Sequence, residues 1–145
     1  MARATVEKEL HFTLRNETGL LGQITKTLDM AGVFIVHLSS YLVKKEGYFQ
    51  IITRDNKKAK AALKHLAPDA VERDVLVVEF ENKVGTLAPV ARLLGSNGIE
   101  VEYVYGTSGD GFKIVGVFAT ADNKRAAKII NEDSGALGTE TRRTK

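Results

Sequence analysis

Cysteine is absent from the 145 residues. Disulfide frameworks, thiolate metal sites and cysteine nucleophiles are therefore excluded. Long apolar runs are missing too, and nothing approaches the ~20 residues of a membrane-spanning helix. The opening Met1-Ala2-Arg3-Ala4-Thr5-Val6-Glu7 lacks the apolar core of a signal peptide. With no targeting segment, the expected compartment is the cytoplasm and no membrane partner is expected. Positive charge is scarcer than the formal +3 implies. Of the 21 Lys and Arg, three (Arg142, Arg143 and Lys145) stand in the last four residues. Residues 1–141 then hold 18 basic against 18 acidic side chains. A nucleic-acid binder carries its basic patch on a folded face. Here the excess falls in a basic tail, 133–145, expected to be disordered, so a nucleic-acid partner is not expected.

What the chain does contain is the same punctuation twice. Asn16-Glu17-Thr18-Gly19-Leu20-Leu21 follows the alternating run Leu10-His11-Phe12-Thr13-Leu14, which has the period of a half-buried strand. It opens an amphipathic run in which Leu21, Ile24 and Leu28 form a helical stripe, with Gly32 as the stop. Asn82-Lys83-Val84-Gly85-Thr86-Leu87 repeats the turn 66 residues later. Leu87, Val90 and Leu94 then repeat the stripe, and Gly98 repeats Gly32. Thr86 is placed to cap the second of these helices, with Pro89 tolerated in its first turn.

Between the two turns, Val33-Phe34-Ile35-Val36-His37-Leu38 is apolar on both faces and reads as a strand covered on both sides. Lys44-Lys45-Glu46-Gly47 is a hairpin tip and residues 48–53 return as a third strand. Asp55-Asn56 caps a second helix with the stripe Ala59, Ala62, Leu63 and Leu66, ended by Pro68-Asp69. Ala70-Val71-Glu72-Arg73 makes a short fourth strand, after which Val75–Glu81 restarts the series. Ile99–Tyr105 is the second strand of the new copy, and Ser108-Gly109-Asp110-Gly111 its turn. Thr120, Asp122, Asn123, Lys124 and Ala126 match Thr53, Asp55, Asn56, Lys57 and Ala59 at an offset of 67. An internal repeat is the economical explanation. The order βαββαβ twice predicts an α+β fold of two ferredoxin-like units, with antiparallel sheets and helices on one face. The expected domains are residues 8–73 and 74–132. A last strand for the second copy is not evident after Asn131, where little remains to bury.

Each candidate site has a plain structural alternative. A helix N-terminus offers unpaired N–H groups and a partial positive charge, which suit a carboxylate. Glycine lets a ligand approach the backbone, and an asparagine oxygen accepts from an ammonium group. Asn16 with Gly19, and Asn82 with Gly85, therefore suit a free amino acid's zwitterion. Asparagine and glycine also make ordinary turns. His11, His37 and His65 share no metal-ligand spacing, so no metal and no cofactor is expected. His37 matches Tyr103 in the repeat, which fits either a pocket wall or a sheet edge. Ser39 and Ser40 lack a visible histidine–carboxylate set, so no catalytic residue is assigned. Gly109–Phe118 is loosely similar to the aromatic third strand of an RNA-recognition motif, but Tyr48-Phe49-Gln50 does not repeat it.

Two copies of Asn-x-x-Gly-x-Leu between first strand and first helix, each followed by Gly-(Val/Ile) before the second strand, resemble ACT domains. Residues 8–132 together resemble the tandem-ACT proteins made of two such domains, with no catalytic domain left over. The resemblance implies a non-enzymatic regulatory protein that binds an amino acid at an interface between domains and signals to a partner protein. It implies ligand-binding loops at Asn16, Thr18, Gly19, Leu20 and Leu21, and at Asn82, Val84, Gly85, Thr86 and Leu87. It further implies that the second strand of a neighbouring domain helps cover each loop, with candidates Ile35, Val36 and His37, and Val101, Glu102 and Tyr103. The family often places proline before the loop glycine; Thr18 and Val84 stand there instead. A homodimer is expected, because an apolar second strand at a sheet edge invites pairing. The alternative is a ferredoxin-like RNA-binding module, and a small enzyme on the same fold ranks after it.

Overall fold

The computed structural model describes residues 2–108 and 111–140. Its elements run β1 (Arg3–Arg15), α1 (Leu20–Met30), β2 (Ile35–Val43), β3 (Glu46–Thr53), α2 (Asn56–Ala62), β4 (Val71–Glu81), α3 (Leu87–Ser96), β5 (Val101–Ser108), β6 (Lys113–Thr120) and α4 (Asn123–Glu140). Residues 8–73 form one compact unit, and the other described residues form the second. Both are α+β and ferredoxin-like, with antiparallel strands.

In the first unit the strand order is β2-β3-β1. Leu10 and Phe12 of β1 pair with Ile51 and Phe49 of β3. All four turn to one face, where Leu20, Ile24 and Leu28 of α1 and Ala59 and Leu63 of the α2 turn complete the core. The rings of Phe12 and Phe49 stack at 5.1 Å. Each such large apolar side chain contributes about 1.5–3 kcal/mol on burial. The second unit repeats this with the order β5-β6-β4. Leu76, Val78, Phe80 and Phe118 meet Val90 and Leu94 of α3 and Ala126 and Ile130 of α4.

Several expectations are corrected. The predicted fourth strand at 70–73 and the strand at 75–81 are one strand, β4, of 11 residues. It exceeds the usual five or six because residues 71–73 belong to the first unit and the remainder to the second. β1 is divided in the same way, its first residues belonging to the second unit. The last strand not evident in the second copy is thus supplied by the chain's start. Ala4 is buried in the second core. Its N–H donates to the Asn131 Oδ1 at 2.8 Å, and its carbonyl accepts from the Asn131 Nδ2 at 2.9 Å. The helical stripe of α1 uses Leu20 and not Leu21, which is 48% exposed; α3 likewise exposes Leu87. α2 ends at Ala62, short of the predicted Leu66. The disordered tail expected at 133–145 lies partly outside the described residues, but α4 continues as backbone to Glu140.

β2 is not covered on both sides within its unit. Val33 is buried, whereas Phe34, Val36 and Leu38 are exposed to 55%, 40% and 36%. Arg54 lies over the Phe34 ring at 4.0 Å. The hairpin tip between β2 and β3 is as expected, with Lys44 in the left-handed region at φ 56°. The corresponding turn at 108–111 lies partly outside the described residues.

Candidate functional site

Both strand-to-helix loops are anchored by their asparagine. The Asn16 N–H donates to the Lys45 carbonyl at 2.8 Å, and the Asn82 N–H to the Phe112 carbonyl at 2.9 Å. Each loop is thereby tied to the hairpin of its own unit. Gly19 and Gly85 then take φ 88° and 87°, a region where a side chain is strained. A β-carbon at either would meet no protein atom within 4 Å. The glycines answer a backbone demand, and the space above them is open.

Of the four helices among the described residues, two are capped by a side chain and two are not. The Asp55 carboxylate accepts from the Lys58 N–H at 3.0 Å, and that of Asp122 from the Arg125 N–H at 3.1 Å. These close the starts of α2 and α4. The caps of α1 and α3 are Gly19 and Thr86, neither with a side-chain cap bond. Thr86 does not cap as its sequence position led us to expect, because its hydroxyl donates back to the Lys83 carbonyl at 3.1 Å. In α1 the first bonds are Leu20 N–H to the Glu17 carbonyl and Gln23 N–H to the Gly19 carbonyl. The N–H groups of Leu21 and Gly22 stand between them, facing outward from the helix start. An anion there gains both the N–H bonds and the helix dipole.

The asparagine side chains differ. The Asn82 Nδ2 donates to the Gly111 carbonyl at 2.9 Å. That bond fixes its amide, with Oδ1 left as an acceptor. Asn16 is exposed at the rim of a concavity of about 400 Å³, within the size range of small-molecule sites. Residues 16–21 form one wall, Ser40, Tyr41 and Leu42 of β2 another, and Gly47 and Phe49 of β3 the floor.

The predicted loop residues Asn16, Thr18, Gly19, Leu20 and Leu21 are therefore brought together. Ile35, Val36 and His37 are not brought to the loop of their own unit. His37 pairs with Ile52 and Leu42 with Gly47, five residues apart along β3, about 17 Å at about 3.3 Å each. A strand–helix–strand crossover makes β1 and β2 parallel, so the end of β2 lies beside the loop that ends β1. That rule finds Ser40–Leu42 from sequence, and the tight hairpin after them finds Gly47 and Phe49; all were missed. The second unit behaves alike. Asn82, Val84, Gly85, Thr86 and Leu87 make its loop, with Val84 fully exposed. Val101, Glu102 and Tyr103 lie toward the other end of β5, where Tyr103 pairs with Ala119 and Val101 with Thr120.

Of the histidines, His11 contacts the buried Glu9 at 2.6 Å, His65 is exposed and His37 is half-buried on β2. Among the described residues no cluster of His, Asp and Glu is placed to hold a metal. No described helix is long and apolar enough to cross a membrane. Phe118, in the stretch similar to an RNA-recognition strand, is buried against the helices. It offers no platform for stacking a base.

The model of the ACT domain pair family matches residues 5–140. No protein of curated function matches the sequence. Among solved structures, protein BT0572 from Bacteroides thetaiotaomicron is similar at 26% identity and a TM-score of 0.82, over 90% of each chain. The regulatory subunit of aspartate kinase from Thermus thermophilus, in a ligand-free form, matches at 13% identity and a TM-score of 0.66 over 89% of this chain and 95% of its own. That from Thermus flavus matches at 11% and 0.61, over 90% and 95%. At such identities the aspartate kinase subunits bear on the fold alone.

Proposed function

The chain belongs to the ACT domain pair family, and from that premise we propose that it is a non-catalytic regulatory protein that binds a free amino acid at a strand-to-helix loop. The observation that carries the reading is the pattern of capping. The two helices that follow the Asn-x-x-Gly loops lack a side-chain cap, while the other two each have an aspartate. An amino acid completes the first loop. Its carboxylate accepts from the Leu21 and Gly22 N–H groups, and its ammonium donates to the Asn16 Oδ1. Regulation follows by linkage: the ligand favours whichever arrangement of the protein binds it best, by no more than its difference in affinity between states.

Assembly is part of the proposal. β2 is the outer strand of the order β2-β3-β1 in its unit, with Val36, Leu38, Tyr41, Leu42 and Val43 exposed along it. A second copy pairing there makes a homodimer and removes an edge that otherwise invites aggregation. The regulated partner is a separate protein. A regulatory role with no catalytic group fits the scattered histidines. An RNA-binding role is disfavoured by the even charge of residues 1–141 and the buried Phe118.

A thermal-shift screen of the twenty amino acids tests the reading. A ligand at 100 times its Kd stabilises the folded state by about 2.7 kcal/mol, so at least one amino acid should raise Tm by several degrees. No shift with any of them, supported by calorimetry, contradicts the proposal.

A further inference from the structure

The two copies of the loop match in sequence, but the sheet beside them does not. In the first unit Leu14, Gly47 and Leu42 stand in one row across β1, β3 and β2, and Phe12, Phe49 and Ser40 in a row two residues further along. Phe12 and Phe49 belong to the core, so these rows face the helices, on the side of α1. Gly47 leaves a gap in its row. A β-carbon there would stand 3.2 Å from the Phe49 Cε2 and 3.5 Å from the Leu14 carbonyl oxygen. Any side chain at 47 would therefore cover the ring edge that floors the concavity.

In the second unit the corresponding rows are built in reverse. Ile114 pairs with Phe80 where Gly47 pairs with Leu14, and Gly116 pairs with Val78 where Phe49 pairs with Phe12. Ile114 packs against the core, so the gap is filled. The space at Gly116 is taken by rings: a β-carbon there would lie 2.9 Å from the Phe118 Cε2 and 3.1 Å from the Phe80 Cε2. The first copy has a hole over an aromatic edge, and the second has a branched side chain over a glycine.

Resting on the amino-acid reading above, we propose that the chain binds one amino acid, at the first loop only, and that this ligand has an apolar side chain. The zwitterion lies at the polar rim of Asn16 and the start of α1. The side chain descends over Gly47 between Leu20, Leu42 and Phe49. Glu17 lies in the same wall and no basic residue lines the concavity, so an acidic ligand side chain meets repulsion and no partner. A neutral polar side chain would lose its water against Leu20, Leu42 and Phe49, with the Ser40 hydroxyl the polar group of the Phe49 row.

The test is calorimetry of the full chain with leucine, phenylalanine, serine, aspartate and lysine, then with variants. The expected result is one site per chain, filled by leucine or phenylalanine, with the other three at least 10-fold weaker. Gly47→Val should weaken the best ligand about 10-fold or more, on the scale of one misplaced methyl in an apolar pocket. Should Gly47→Val fail to fold, Leu42→Ser is the second variant. Leu42 is 55% exposed, so the fold should be kept and affinity for the apolar ligand lost by about 10-fold. Asn82→Ala should leave affinity and stoichiometry unchanged. Two sites per chain, preference for serine, aspartate or lysine, or wild-type affinity in Leu42→Ser overturns this proposal while leaving the amino-acid reading intact. Absence of binding by all twenty amino acids removes that reading and this one with it.

Discussion

Asn56 and Asn123 have equivalent roles at positions 67 apart. The Asn56 Oδ1 accepts from the Thr53 N–H at 3.1 Å and its hydroxyl at 2.7 Å, while its Nδ2 donates to the Lys8 carbonyl at 2.9 Å. Asn123 accepts from the Thr120 N–H and hydroxyl at 3.2 and 2.7 Å and donates to the Asp74 carbonyl at 2.8 Å. One amide thus ties the end of a third strand to the first strand of its unit. The Thr-x-Asp-Asn match was legible as a repeat, and Asp55 as a cap. The role of Asn56 was not, because its partner Lys8 lies 48 residues away and local patterns carry no such information. Removing the amide leaves part-buried donors unpaired, so Asn56→Ala and Asn123→Ala should each lose about 1–3 kcal/mol in denaturant unfolding. Asn56→Asp should lose more, since an oxygen would replace the Nδ2 donor facing the Lys8 carbonyl. Unchanged midpoints in all three would show these bonds to be incidental. The Glu81 carboxyl is held below its ordinary range by the hydrogen bond from Lys83. A depressed carboxylate stabilises above its unfolded value and loses that support as pH falls through the folded one. Glu81 is exposed, so Glu81→Gln should leave the acid-unfolding midpoint nearly unmoved.

At the scale of elements, type and order were legible and phase was not. Leu20 and Leu21 both lie within a helical stripe that includes Ile24 and Leu28. Gly19 as the helix cap and the seat of α1 on the sheet decide that Leu20 goes inward. The stretch 33–38 was read as covered because it is apolar on both faces, yet the outer position of β2 leaves Phe34, Val36 and Leu38 exposed. Ile35–His37 lie away from the loop of their own unit because the crossover direction sets the end of β2, not its start, beside that loop. The exposed edge of β2 carries a prediction about assembly. Leu38 pairs with Ile51 on the helix-facing side and is 36% exposed, so Leu38→Lys puts a charge at the rim of that edge. It should convert a sedimenting dimer to a monomer while leaving the monomer's circular dichroism spectrum unchanged. A wild-type protein that sediments as a monomer at high concentration would contradict pairing through β2.

At the scale of the molecule, the repeat exposed two units but not how the chain closes them. Residues 1–7 fall outside both domains expected from the sequence, since Ala2 and Ala4 give no periodic signal. They belong to the second unit, where Ala4 is buried and held at both ends of its peptide by Asn131. The ligand reading depends on a difference between copies that the loops themselves conceal. Both have Asn, Gly and an uncapped helix start, but Gly47 and Phe49 in one stand against Ile114 and Gly116 in the other. The most direct measurement is an amide nitrogen–proton NMR titration of the whole chain with the best amino acid from the thermal screen. The account predicts that the largest shifts fall on the N–H groups of Leu21 and Gly22 and on the Asn16 side-chain amide, and that they saturate together. Saturable shifts confined to other residues, with Leu21 and Gly22 unmoved, would contradict it.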